Sequence, residues 1–309
     1  MGFGRSTLLW ISENRWMREK IPNLRFVQKA VKRFIPGEEL NDALKEALKY
    51  EQFGITNVFT HLGENITNLS EAKVVVNSYL EALEEIHNHN LNTEISLKLT
   101  QIGFDLSIEE TANNFETILR KAADLNISVW IDMEQSDYVD KTLDFYKKMK
   151  SKYQNVGICL QAYLYRTEDD INSLMEFEPK IRLVKGAYME PSEVAFPQKS
   201  KVDENFYKLS ALMLDKLSTK NIRIAFATHD VVLINRIKNY CQEQNIEKNN
   251  FEFQMLFGIK TTEQLAMVRD RYKIIVLISY GNAWFPWYMR RLAERPANIG
   301  FVIKNIFTN

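Results

Sequence analysis

Cysteine and histidine are both scarce in this 309-residue sequence, and their scarcity removes whole classes of protein. Two cysteines, Cys159 and Cys241, cannot frame a disulfide scaffold in so long a chain, so a reducing compartment is expected. Cys159 falls in the apolar run Val156-Gly157-Ile158-Cys159-Leu160 and reads as a small core residue. The four histidines are His61, His87, His89 and His229, and only His87 and His89 are close, in a segment that reads as a solvated helix end. A metal-dependent barrel hydrolase needs more imidazoles at its strand ends than this. Charge of one sign is also missing: 40 basic and 40 acidic residues cancel, so no global field draws nucleic acid or an anionic membrane. No apolar run is long enough for a transmembrane helix, and the first residues lack the pattern of a secretory signal. The expected location is the cytoplasm, with peripheral attachment to the inner face of the membrane left open.

What is present is a globular composition, 45% hydrophobic and 26% charged, in a length that α/β barrels reach as one unit. The first fifty residues read as a helical segment, with Leu40, Ala43, Leu44, Ala47 and Leu48 at helical spacing and an end near Tyr50. After that, eight short β-rich runs alternate with helix-period segments: 55–62, 94–100, 128–134, 156–161, 181–186, 223–229, 251–256 and 273–279. Eight such units predict a (β/α)8 barrel occupying residues 1–309 as one domain. An open doubly wound sheet is the competing architecture, but no Gly-x-Gly-x-x-Gly turn follows the first run.

Polar residues gather at the C-terminal ends of the runs, where barrels build their active sites. Lys98 ends the second, Asp132 and Glu134 the third, Gln161 the fourth, Lys185 the fifth, Thr228 and His229 the sixth; Arg182 lies near the start of its run. Strand alternation puts Ser96, Lys98 and Thr100 on the lumen face of the second strand, against Ile95, Leu97 and Leu99 on the other. Each residue also has a plain structural reading: a snorkelling Lys98, a helix-capping Asp132, a hydrogen-bonded core His229. Five strands contributing to one end favour a site.

The last predicted helix runs from a cap at Asn282, through Pro286 in its first turn, to Arg295, with Pro296 as the stop. Trp287, Arg290, Arg291 and Glu294 share one face. Two adjacent guanidiniums can fork onto a carboxylate; the competing reading is a solvated face of ordinary ion pairs. Down the barrel wall, Arg290 would sit roughly 10 Å from the catalytic end at about 1.5 Å per residue, so a substrate grip requires this helix to cross the barrel mouth.

The motifs ISLKLT, WIDMEQSD, LQAYLYR, IRLVKGAYMEP, FATH, EFQMLFG and RRLAERPAN, in this order over roughly residues 40–305, resemble the proline dehydrogenase family in its monofunctional bacterial form. The resemblance implies a distorted barrel whose last helix lies over non-covalent FAD. It implies oxidation of L-proline to 1-pyrroline-5-carboxylate, with electrons passed to a membrane quinone and the product passed on to a pyrroline-5-carboxylate dehydrogenase. By motif, Lys98, Arg290 and Arg291 correspond to the carboxylate grip, and Asp132 and Arg182 to catalytic positions. Met133, Gln161, Lys185, Gly186, Ala187, Thr228, His229 and Glu294 correspond to the FAD lining, Leu256 to a ring contact, and Glu64 to a gate that pairs with the first arginine. Two positions depart from the family: Trp287 stands where it has tyrosine, and Leu277 aligns with a second tyrosine beside the ring, which implies tolerance of hydroxyproline or another cyclic imino acid. A flavin barrel of the folate-reducing kind, a metal-dependent hydrolase and a catalytically inactive interaction barrel are the competing readings.

Overall fold

The computed structural model describes residues 31–63 and 66–284. Helix α1 (Leu40–Glu51) precedes eight strands: β1 (Thr56–His61), β2 (Thr93–Leu97), β3 (Val129–Ile131), β4 (Val156–Gln161), β5 (Lys180–Val184), β6 (Arg223–Ala227), β7 (Phe251–Leu256) and β8 (Lys273–Tyr280). Between them lie α2 (Leu69–Asn88), α3 (Ile108–Asp124), α4 (Val139–Lys150), α5 (Thr167–Leu174), α6 (Lys199–Lys216), α7 (Val231–Glu243) and α8 (Thr261–Arg269). Every strand pairs in parallel with its neighbour, and β8 closes on β1 from Thr56↔Ile275 to His61↔Tyr280. The expected barrel is therefore observed. Trp287, Arg290, Arg291 and Glu294, for which the sequence predicts a helix across the barrel mouth, the predicted helical text before residue 31, and Glu64 lie outside the described residues.

Local chemistry starts and stops the helices. Helix α3 begins at Ser107, whose hydroxyl accepts from Glu110 N–H, with Glu109 and Glu110 in the first turn to suit the helix dipole. Its buried side is Ala112, Phe115, Ile118, Leu119 and Ala122, at helical spacing. Five helix ends share one stop. A left-handed residue (Gly54, Asn90, Asn126, Asn245 or Arg271) is followed by an apolar one (Ile55, Leu91, Ile127, Ile246 or Tyr272). The apolar residue's N–H donates five residues back, as from Leu91 to Ile86 and from Ile127 to Ala122, while the left-handed residue bonds three back. This is the Schellman arrangement, and in four cases the next strand starts within three residues of it.

Strands β1, β2, β3, β5 and β6 end before their β-rich runs do. Lys98 and Thr100 lie beyond β2, at a single 3-10 turn over Leu99–Ile102; Asp132 and Glu134 lie beyond β3; Lys185 and Gly186 beyond β5; Thr228 and His229 beyond β6. The polar residues thus sit on the first loop residues rather than on the strands. Pairing does not stop abruptly there: Asp132 N–H still donates to Leu97 O at 2.8 Å.

The large apolar core lies between barrel and helices, and a second, small one fills the lumen: Val58, Trp130, Ala225 and Ile275, with Leu277 against it. Below it is an ion cluster. Arg223 donates to Glu94 at 2.5 and 3.1 Å and to Glu252 at 2.9 Å, and Trp130 Nε1–H donates to Glu94 at 2.7 Å. Burial pushes the Glu94 carboxyl upward, but the charge and hydrogen bonds of Arg223 and the Trp130 N–H outweigh it and hold the group below its ordinary value. Gly157 has no side chain because the Trp130 ring occupies the space; a Cβ there would fall 2.6 Å from the ring. Replacing Gly157 with Ala should therefore lower stability by about 1–3 kcal/mol through overpacking, read as a shift in denaturant midpoint; an unchanged midpoint would show that the indole can yield.

Candidate active site

At the centre of the C-terminal end of the barrel stands Arg182. Its lumen position on β5 leaves it 3% exposed. Its Nη1 donates to Asp132 Oδ1 and to Ser96 Oγ, each at 2.9 Å, and Ser96 Oγ–H donates to Asp132 Oδ1 at 2.9 Å. β2, β3 and β5 thus converge on one ion pair, and a buried guanidinium tolerates this location because the carboxylate balances it. Two of its nitrogens, Nε and Nη2, are buried without a partner among the described residues.

Several of the other residues singled out in the sequence lie at the same end of the barrel. Lys98, half-buried, follows β2, with its own N–H donating to Gln101 Oε1 at 2.9 Å. Gln161 ends β4, and its amide Nε2 donates to the carbonyls of Met133 and Glu134 at 3.4 and 3.1 Å, which ties β4 to the loop after β3. Its Oε1 is buried and unpartnered. Gly186 is left-handed, with φ +103°, and a Cβ would fall 2.3 Å from the Tyr163 ring, so this turn admits only glycine. Ala187 follows it, half-buried. Lys185 reaches Asp203 at 2.5 Å and Asp230 at 2.8 Å, so its charge is balanced from α6 and from the start of α7.

Thr228 and His229 close the ring at the top of β6. Thr228 Oγ1 accepts from Asp230 N–H at 3.1 Å, and Asp230 in turn caps α7 through Val232 and Leu233 N–H. His229 Nε2 accepts from Leu256 N–H at 2.8 Å, which fixes the proton on Nδ1 and joins the ends of β6 and β7. Burial, then the charges of Lys185 and Lys260, press the His229 imidazole down to about 4. It is thus a buried, hydrogen-bonded neutral histidine. Leu256 ends β7 with 41% exposure, an apolar side chain open to the mouth. Beside Asp132, Cys159 is a buried thiol pushed up to about 12, chiefly by burial, so it stays protonated and serves as a core residue.

Sequence reasoning missed Ser96, Asp203 and Asp230 as partners. Lumen parity put Ser96 on the inner face without revealing its partners, and Asp230, directly after Thr228-His229, opens a helix. A recess of about 310 Å³ lies between β1, α2 and β8, lined in part by His61, Gly63, Gln101 and Asn282. It borders the exits of the chain toward Glu64 and toward Arg290, because His61 and Tyr280 are register partners. Among the described residues no cluster of metal-ligating side chains occurs, and no helix is long and apolar enough to cross a membrane.

The comparisons with known proteins agree on one family. A family model described as proline dehydrogenase matches residues 43–304. The chain is 37% identical over 302 residues to proline dehydrogenase 1 of Bacillus subtilis, covering 98% of each. It is 33% identical over 294 residues to the proline dehydrogenase of Deinococcus radiodurans, covering 94% of this chain and 92% of that one. Among solved structures it resembles proline utilization A of Bdellovibrio bacteriovorus, inactivated by N-propargylglycine, with a TM-score of 0.81 at 23% identity. That match spans 96% of this chain and 39% of the other, and it bears on the fold.

The low value at His229 has a measurable sign. The unfolded chain takes up the proton near 6.5 and the folded chain only near 4, so folding stability should drop as pH falls through that window. His229→Asn should flatten that part of the stability–pH curve. An imidazole resonance titrating near its ordinary value in the folded protein would contradict the geometry.

Proposed function

This chain belongs to the proline dehydrogenase family, and from that premise we propose that the end of the barrel around Arg182 binds FAD and L-proline together. The enzyme oxidises L-proline to 1-pyrroline-5-carboxylate. The observation that supports the FAD reading is the set of buried, unsatisfied atoms: Arg182 Nε and Nη2 offer two donors, and Gln161 Oε1 offers an acceptor. A polar, flat ring system carrying acceptors and one N–H fits that set, and no ordinary apolar packing does. Met133, Gln161, Lys185, Gly186, Ala187, Thr228, His229 and Glu294 are the residues that would hold it. Bound FAD supplies the two-electron acceptor for the C–H bond that is broken.

The chain's own residues do the rest. Lys98, Arg290 and Arg291 hold the carboxylate of proline, two guanidinium forks and one ammonium against one charge. Leu256 presents apolar surface to the ring. Asp132 balances Arg182 and keeps its guanidinium oriented. The substrate amine passes its proton to water before or during the step, and the cationic side chains of the site favour that loss. Glu64 pairs with Arg290 as a gate; the pairing of His61 with Tyr280, which brings the ends of β1 and β8 together, supports this. Electrons pass to a membrane quinone, the enzyme works in the cytoplasm at the inner membrane face, and a pyrroline-5-carboxylate dehydrogenase takes the product; family membership supports these three statements.

A wider substrate range has one observation in its favour. Leu277, half-buried, is the register partner of Leu256, so the wall presents two aliphatic side chains where the family has a tyrosine hydroxyl nearby. Trans-4-hydroxyproline should then be turned over at a rate comparable to proline, and a strong preference for proline would overturn the idea.

The reading as a whole is tested on purified protein. It should absorb near about 450 nm and reduce a dye or quinone when proline is added. Arg290→Met should raise KM for proline by about tenfold or more, since a charge-assisted bond is lost. A colourless preparation that cannot be reconstituted with FAD would sink the proposal.

A further inference from the structure

A tryptophan fills the middle of the lumen, and its surroundings leave it no freedom. Trp130 is fully buried. Its Nε1–H is pinned to Glu94 at 2.7 Å, and its ring occupies the space left by Gly157. The guanidinium of Arg182 lies 4.6 Å from the ring centroid, and that of Arg223 lies at 5.2 Å. Arg223 is the register partner of Lys180, so it belongs one layer below Arg182, toward the N-terminal ends of the strands. The indole therefore separates the lower ion cluster from the site and offers Arg182 a fixed flat surface.

The other constraint on Arg182 is unusual. An arginine and a carboxylate left to themselves close into a two-pronged fork. Here the pair is held through Nη1 alone, which donates to both Asp132 and Ser96. The Ser96 hydroxyl accepts from Arg182 and donates to Asp132, which uses its one proton in the only direction that satisfies both. Nε and Nη2 are withheld from the carboxylate while remaining buried.

We propose that Trp130, with Ser96, is a positioning residue of the oxidation: ring face and hydroxyl together stop Arg182 from closing on Asp132 and so reserve two guanidinium nitrogens, Nε and Nη2, for the flavin. This rests on the flavin reading above. Hydride transfer delivers one negative charge to the acceptor, and a guanidinium fixed beside it favours the reduced form. A guanidinium released from the ring can fold onto Asp132, and that preference weakens.

The test uses the holoenzyme and three substitutions: Trp130→Leu, which removes the flat face; Trp130→Phe, which keeps it; and Ser96→Ala. The readouts are the flavin midpoint potential, by equilibration with a reference dye, and kcat and KM for proline. Trp130→Leu should lower the ratio of reduced to oxidised flavin at fixed poise by about tenfold, which is about 30 mV for a two-electron couple. Its kcat should fall while KM stays within about twofold, because the carboxylate grip lies elsewhere. Trp130→Phe should keep the wild-type potential, and Ser96→Ala should move it in the same direction as Trp130→Leu. A Trp130→Leu enzyme that melts earlier but keeps the wild-type potential overturns the proposal and leaves Trp130 as lumen packing. If Trp130→Leu does not fold, Ser96→Ala decides: an unmoved potential overturns the proposal and a lowered one supports it. A wild-type protein that takes up no FAD overturns both this inference and the flavin reading, and it does so before any substitution is made.

Discussion

A guanidinium inside a closed barrel is the constraint around which the upper half of this protein is arranged. Arg182 cannot reach bulk water, so its charge has to be met within the wall, and Asp132 from β3 and Ser96 from β2 meet it. Those contacts fix where β2, β3 and β5 end relative to one another. The same arginine needs a flat support, which places an indole in the lumen, and the indole excludes any side chain at Gly157 on the adjacent strand. Below the indole a second arginine repeats the problem with two glutamates. The barrel interior is thus two charge-balanced layers with an apolar partition, in place of the wholly aliphatic filling common in such folds.

Much of this was legible in the sequence. All eight strands were found, those at Val156–Gln161 and Phe251–Leu256 with their bounds intact, because buried parallel strands are apolar throughout and stand out against helix-period text. The overshoot at β2, β3, β5 and β6 has one cause. Hydrophobicity and residue type do not register where ladder pairing stops, and the polar residues that follow these strands continue the pattern of the run. The five Schellman ends were legible too, as Gly-Ile, Asn-Leu, Asn-Ile, Asn-Ile and Arg-Tyr pairs after helical text, and would have set several strand starts.

The candidate site was legible in part. Motif and strand parity put Lys98, Asp132, Gln161, Lys185 and His229 at one end, and the fold brings them there. Their partners were harder to see. Asp203 lies near the start of a long helix and looks like any solvated carboxylate, yet it balances Lys185. Trp130 reads as one more apolar strand residue, since nothing in a linear pattern reveals that its neighbours in space are two arginines. Pairings across 50 residues or more, as between Arg182 and Asp132, follow from topology rather than from spacing.

The closure of β8 onto β1 joins residues more than two hundred positions apart. Until β8 has been made, both β1 and β7 present open parallel edges, and such edges invite pairing with other chains. The segment bearing Arg290 and Arg291 follows β8 in the chain, so the proposed carboxylate grip is completed only after the barrel has the means to close. A growing chain on the ribosome can assemble the Asp132–Arg182 pair early, but on this proposal it gains two of its three carboxylate contacts last. Contacts of such long sequence separation also slow folding, which makes the final strand a natural point for chaperones to act and for premature termination to yield an inert, aggregation-prone fragment.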